Sequence, residues 1–366
     1  MRTGIVLAGF AAAPLADFVA IAREAETRGY HTAWLGEVSG YDAIVMSTVV
    51  ATHTTRLHVA NGVLPVQTRT PVILGMATAS LNHLAPGRFA LGLGLSSKTI
   101  VEQWHGLDFT PSLAQIREAV EIVRKVASGE RVSHEGKHYR VKGFRLTSPP
   151  PSAPVRVYLA ALGPEMLELA GEIADGVLLN WIPPEAVPAS LAHLKAGAQK
   201  AGRTLESFEI ASFVRTCVTD DAAAARETLA RDVTGYATVD VYASFFRTAG
   251  YADEVAQVGA AWSAGDRSGA VKKISPRMLD GLGVVGDEAF CRARIAEFAA
   301  SGLTQPVIVP FAPPGGDRAA RRRPRRPAPH AAEFSLVGAP KWPPHPPAAR
   351  RAPAQPWRPS ISRCRR

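Results

Sequence analysis

The sequence predicts a (β/α)8 barrel, and three observations carry that prediction. First, from Thr3 to Phe311 short apolar runs alternate with amphipathic helical stretches; eight runs read as strands, and a helix follows each of the first seven. Right-handed βα repetition of this length closes into a barrel. Second, an open doubly wound sheet would place a GxGxxG turn after the first strand and an acidic residue about 20 positions later; neither is clear here. Third, Pro154 to Trp181 forms a complete βαβ unit. Val155 to Leu162 is an apolar run stopped by Gly163-Pro164. Met166, Leu167, Leu169, Ala170 and Ile173 then recur at helical spacing, and a second apolar run starts at Val177.

The elements follow in order. Thr3 to Gly9 is the first strand. Leu15 to Arg28 is a helix with Phe18, Ile21, Ala22 and Ala25 on one face, closed by Gly29. His31 to Glu37 is the second strand, and Asp42 is placed to cap a helix running to His53. Leu57 to Leu64 is the third strand, interrupted at Asn61-Gly62, where a glycine inside a strand indicates a bulge or a close backbone approach. Pro71 opens a third helix and Arg88 to Leu95 is the fourth strand. Gln115 to Ser128 is amphipathic, and Val132 to Leu146 reads as a β-hairpin insertion. After the central βαβ unit come a helix at Glu185 to Gly202 and a strand at Phe208 to Val218. The next helix begins at Ala222, and Val239 to Asp280 is a helical insertion. A helix at Asp287 to Ser301 and a strand at Gln305 to Phe311 complete the barrel. An eighth helix is absent from the pattern: a Pro- and Arg-rich stretch stands where it belongs.

Charge supports a boundary there. The chain of 366 residues has a net charge of +10. Residues 315–366 hold 13 Lys and Arg against 2 acidic residues, which leaves the remainder near neutral. The expected organisation is therefore a barrel domain at 1–312 and a disordered tail at 313–366. An inert tail, or a product of a misread coding frame, is favoured over a nucleic-acid-binding arm. No run of 18 apolar residues exists, so no transmembrane helix is expected. Three widely spaced cysteines form neither a disulfide framework nor a metal pattern, which suggests a reducing cytoplasm.

Barrel active sites lie at the C-terminal ends of the strands. The candidates there are Glu37, Asn61-Gly62-Val63, Leu95-Ser96-Ser97, Ala161-Leu162-Gly163 and Asn180-Trp181. A helix opening at Pro164 directs unpaired backbone N–H groups at the mouth, a ready site for phosphate, although an ordinary βα turn has the same sequence. Neither a Ser-His-Asp order, nor HExxH, nor a Walker motif is found, and the histidines lack metal-ligand spacing. A site poor in acid–base pairs and rich in backbone donors suits a cofactor that performs the difficult chemistry.

Several motifs in order give a resemblance: AWLGE followed by Asp42, HVANGVLPVQTRTP, PGRFALGLGLS, VEQWHGLDFTPSLAQIREAVEIVRKVASGE, LGPEMLELAGEIADGVLLNW and VVGDEAFCRARIAEF. Together they resemble the luciferase-like monooxygenase superfamily, in its branch of coenzyme F420-dependent oxidoreductases, over about residues 1–312. The resemblance implies a TIM barrel holding a deazaflavin or flavin at its mouth. It implies a cis peptide at Gly62–Val63 behind the ring, with Asn61 in the same bulge. Leu95 and Ser96 would line the cofactor, Ala161, Leu162, Gly163 and Pro164 would form the phosphate turn, and Glu37 would be the acidic residue near the ring. Many relatives carry His where this chain has Val38, and Arg-His-Pro where it reads Arg69-Thr70-Pro71. Glu37 is then left either to hydrogen-bond the ring or to act as the acid–base group. The ALGPEML turn and the insertion from Tyr242 to Asp280 favour F420, with hydride transfer between the deazaflavin and a small organic substrate. An FMN-dependent monooxygenase using O2 is the alternative. A homodimer is expected, because the wall left without its eighth helix needs cover.

Overall fold

A computed structural model describes residues 1–7 and 14–313. The expected tail from 314 onward, any eighth helix, and the end of the first strand lie outside the described residues. Twelve strands and twelve α-helices follow one another among those described. They run β1 (Gly4–Val6), α1 (Leu15–Thr27), β2 (Thr32–Leu35), α2 (Ala43–His53), β3 (His58–Asn61), β4 (Leu64–Pro65), α3 (Pro71–Leu84) and β5 (Phe89–Gly94). Next are α4 (Leu113–Ala127), β6 (Val132–Glu135), β7 (Arg140–Phe144), β8 (Arg156–Ala160), α5 (Pro164–Ile173), β9 (Gly176–Asn180), α6 (Val187–Lys200) and β10 (Glu209–Val218). The remainder are α7 (Ala222–Ala237), α8 (Asp240–Phe246), α9 (Ala252–Ser263), α10 (Arg267–Val271), α11 (Pro276–Leu282), β11 (Gly283–Gly286), α12 (Glu288–Ala300) and β12 (Gln305–Pro310).

Eight parallel strands close on themselves in the order β1, β2, β3, β5, β8, β9, β10, β12, with β12 returning to β1. This is the TIM barrel that the alternation of strand and helix implied. Local chemistry explains the element ends. The Asp42 carboxylate accepts hydrogen bonds from the N–H groups of Ile44 and Val45 at 2.9 and 3.0 Å, capping α2. Gly29, at φ +79°, closes α1 in a conformation that costs a residue with a Cβ about 1–2 kcal/mol. Pro71 and Pro164 open α3 and α5, where no backbone donor is lost.

Three apolar layers organise the interior. Outward-facing strand residues such as Ile5, Leu35, Leu91 and Val177 pack against the helices. Inward-facing Val6, Trp34, Ala60, Ala90, Tyr158, Leu178, Ala211 and Val307 fill the barrel. A separate cluster built on Val233, Phe246, Tyr251 and Met278 holds α7 to α11 together, and Trp181 belongs to it. Each fully buried side chain of this size contributes about 1.5–3 kcal/mol.

The structure departs from the sequence reading in three places. The third strand is two strands, β3 and β4, separated by a bulge at Gly62-Val63. Thr99–Trp104 forms a π-helical turn. Gly283–Gly286 is a strand the pattern did not reveal. One edge of β10 pairs with β9 through Phe213 and then with β11 from Arg215 to Val218, so β10 runs beyond the end of β9 and carries an extra strand there. The expected hairpin is present as antiparallel β6 and β7. None of the described helices is long and apolar enough to cross a membrane.

Candidate active site at the barrel mouth

Alternation along the strands decides what faces the mouth. Above the filled middle layer, the inward-facing strand positions on half of the rim carry no side chain longer than methyl, and the Val63 side chain packs over Gly92 and Gly94. Gly36, Gly62, Gly94 and Ala160 continue the inward-facing positions of β2, β3, β5 and β8. Their neighbours make a continuous strip: a Cβ on Gly36 would lie 2.9 Å from the Gly62 carbonyl oxygen, and one on Gly94 would lie 2.7 Å from Val63 Cγ2 and 3.2 Å from Ala160 Cβ. A Cβ on Gly62 would lie 2.8 Å from Phe213 Cζ and 2.9 Å from Trp34 Cε3. The backbone therefore rests directly on the barrel core. The peptide bond joining Gly62 to Val63 is cis. Backbone approach is equally close at Gly92, where a Cβ would lie 1.8 Å from the Asn61 carbonyl oxygen.

The strip ends at Ala161-Leu162-Gly163-Pro164. Ala161 is buried, and its N–H is bonded to the Leu178 carbonyl at 3.2 Å. Gly163 is the N-cap of α5, and no side chain caps that end. A Cβ on Gly163 would meet nothing within 4 Å. An uncapped helix start beside open space offers the N–H groups of Glu165 and Met166 to an anion.

Glu37 follows β2 at the rim. Arg69 Nε and Nη2 donate to its two carboxylate oxygens at 2.9 and 2.6 Å, and Arg69 also binds Asp42. The hydrogen bonds that Arg69 donates to Glu37 and its pairing with Asp42 hold the guanidinium well above its ordinary value despite burial. Asp42 sits below the usual carboxylate range: burial acts against this but is outweighed by the Val45 N–H and Arg69.

The structure brings Glu37, Gly62, Val63 and the 161–164 turn to one rim. It turns the Asn61 side chain away from the mouth, where Nδ2 donates to Ser47 Oγ beneath α2 at 3.1 Å; only the Asn61 backbone reaches the bulge. Leu95 packs against the outer core, and half-buried Ser96 follows it at the rim.

The opposite half of the rim differs. Asn180, Arg215 and Val309 continue the inward-facing positions of β9, β10 and β12, and Arg215 pairs in register with Val309. The Arg215 guanidinium donates to Asn180 Oδ1 and stacks 3.7 Å from the centroid of the Trp181 ring. Asn180 Nδ2 donates to the Tyr242 hydroxyl at 2.8 Å. Burial pushes the Tyr242 hydroxyl up to about 12, so it stays protonated. The sequence reading did not single out Arg215. The signal was available: ASFVRTCV is an apolar strand with one arginine, in phase with inward Ala211 and Phe213. Among the described residues, no group of three or more His, Cys, Asp or Glu side chains is placed to hold a metal ion.

Comparison with known proteins agrees with this geometry. The luciferase-like monooxygenase profile matches residues 1–305. A protein of Mycobacterium tuberculosis provisionally named a coenzyme F420-dependent oxidoreductase is 31% identical over 328 residues, spanning 84% of this chain and 94% of that one. The 5,10-methylenetetrahydromethanopterin reductase of Archaeoglobus fulgidus is 28% identical over 300 residues, spanning 80% of this chain and 89% of that one. The solved coenzyme F420-dependent tetrahydromethanopterin reductase of Methanopyrus kandleri shares the fold, with a TM-score of 0.72 at 23% identity over 88% of this chain and 95% of that one. With a profile match across most of its length and a closed parallel barrel beneath it, the chain belongs to the luciferase-like monooxygenase family and is an oxidoreductase.

Proposed function

We propose that this enzyme is a coenzyme F420-dependent oxidoreductase that transfers a hydride between the deazaflavin and a small organic substrate. One observation carries the reading: Gly36, Gly62, Gly94 and Ala160 place nothing longer than a methyl at the inward positions of four neighbouring strands, with Val63 packed over Gly94, and the last of them adjoins the turn that opens α5 without a side-chain cap. A flat ring system with a phosphate-bearing tail fits such a surface. When bound, the deazaflavin supplies the carbon that gives or takes the hydride. The F420-dependent relatives support this cofactor over others.

The chain's own residues do the rest. Gly62 and Val63 support the ring from behind, and the N–H groups at Glu165 and Met166 bind the phosphate, with Leu162 and Gly163 leaving room for it. Ser96 lines the rim between these two regions, whereas Leu95, expected there from the sequence, packs outward against the helices. Both Glu37 oxygens are engaged by Arg69, so we assign Glu37 to accepting a hydrogen bond at the ring edge rather than to shuttling protons. The segment α8–α11 covers the other half of the mouth and limits access of water. We further infer a catalytic unit at residues 1–312, a homodimer, and a cytoplasmic setting.

The test is a titration of purified protein with F420 and with FMN. Tight F420 binding is expected, and a chain ended at Ala312 should bind equally well. Tight FMN binding with no F420 binding would favour the second reading, an FMN-dependent monooxygenase, which the family's own description keeps open.

A further inference from the structure

Arg215 is 7% exposed, points inward from the upper half of β10, and has no carboxylate within ion-pairing distance among the described residues. A guanidinium has five N–H donors. Here the hydrogen-bonding side chains are Asn180 and Tyr236, with the Trp181 ring beneath and the Tyr236 ring centroid 5.6 Å away, which is fewer partners than the group has donors. Asp232, whose charge acts on Arg215, makes no ion pair with it, and burial holds its carboxyl above the ordinary value despite the nearby guanidinium. Burying a cation without a counter-ion is costly, and a purely structural role is better served by carbonyls or a carboxylate. The surroundings nonetheless hold the group in place. Asn180 is fixed by its bond to Tyr242. Trp181 is held at φ +54°, a conformation that non-glycine residues rarely adopt, and is the only such case among the described residues. Its buried indole Nε1–H has no acceptor, which leaves a second donor unused beside the guanidinium.

Given the assignment of this mouth as the active site, we propose that Arg215 recognises an oxyanion on the substrate, so that the organic molecule reduced or oxidised here carries a carboxylate or phosphate group. The cofactor then occupies the glycine-lined half of the rim, and the substrate's anionic end occupies the half formed by β9 and β10. Planar, always-charged guanidinium is suited to carboxylate and phosphate through paired N–H donors. Burial already pulls Arg215 below its ordinary value, the direction expected of a cation awaiting its partner.

The test uses inorganic phosphate, benzoate and the neutral benzamide as probes, titrated by calorimetry and thermal shift into cofactor-free and F420-loaded protein. Phosphate or benzoate should bind, with benzoate favoured over benzamide by about thirtyfold or more. Arg215→Met should abolish that preference while F420 affinity stays within about threefold of wild type, and Arg215→Lys should keep part of it. The proposal is overturned by benzoate and benzamide binding alike, by neither anion binding at millimolar concentrations, or by Arg215→Met losing F420 along with the anion. Should Arg215→Met fail to fold, the wild-type comparison of acid with amide decides alone. A protein that refuses F420 yet shows Arg215-dependent anion binding would remove the cofactor reading and leave this one standing.

Discussion

Arg88 and Arg215 lose water at opposite ends of the same barrel and are compensated in different ways. Arg88 stands before β5 at the foot. It donates to the carbonyls of Leu57, Ala51 and Thr54 at 2.7, 3.0 and 3.2 Å, tying α2 to the strand after it. Nearby, Trp34 Nε1 donates to Gln305 at 2.7 Å and Gln305 Nε2 to Thr32 at 3.0 Å, so these foot groups bind one another. Arg215 at the mouth has two hydrogen-bonding side chains, Asn180 and Tyr236, and two aromatic rings, with no backbone carbonyl among the hydrogen bonds to its guanidinium in the described residues. The same side chain is a brace where its donors are consumed internally, and in our proposal a recognition element where they are left over. Conservation at the foot of a barrel reads as stability and at the mouth as chemistry; the hydrogen-bond inventory gives the physical reason within one chain.

Substitutions that separate stability from binding would sharpen or break this contrast. Arg88→Met should have the largest effect on folding, about 3 kcal/mol, because three carbonyls lose their donor; urea denaturation reads it, and F420 affinity should not change. Gly62→Ala should cost about 1–3 kcal/mol through overpacking against Phe213 and Trp34 and should also weaken F420 binding, since it lies where foot-supported core and mouth meet. Gly163→Ala should leave the denaturation midpoint unmoved, because nothing lies within 4 Å of the new methyl, yet reduce F420 affinity about tenfold by crowding the phosphate turn. Equal effects of Gly163→Ala on stability and on binding would break the comparison.

Acid should act at the foot. His31 stacks on His58 with ring centroids 4.4 Å apart, and burial, then His58, then Arg2 and Arg156 lower His31 to about 4. The unfolded chain binds the proton more readily, so this contribution is present above the ordinary histidine value and is lost as pH falls toward 4. His31→Gln should flatten the fall in melting temperature across that window. The smallest effect is expected from Glu37→Gln: the pair with Arg69 is partly solvated, and its loss should cost about 0–1 kcal/mol in stability. A larger fall in F420 affinity than in stability would confirm its place in the mouth.

The fold was largely legible because period-2 and period-3.6 patterns alternate through residues 3–311. β11 was not, since Gly-Val-Val-Gly is too short to show a period and becomes a strand only because β10 offers a free edge. In the site, Gly62 and Gly163 were legible as glycines in unusual places. The pairing of Glu37 with Arg69 spans 32 residues and depends on how the bulge after β3 directs its loop, which no local pattern encodes. The direction of the Asn61 side chain follows from alternation with His58 and Ala60, but the proximity of the bulge obscured it. Arg215 was legible in principle as the lone charge in an apolar strand.

The surplus length of β10 has a consequence for how this enzyme could change. Residues 215–218 run beyond the end of β9 and serve as a hem, to which the polypeptide from 239 to 286 is stitched by four register pairs with β11. Main-chain rungs are indifferent to side-chain identity. A foreign loop of other size and composition could therefore be sewn to the same hem, retargeting the enzyme while the proposed seat of its coenzyme, on the far side of the ring, keeps its shape.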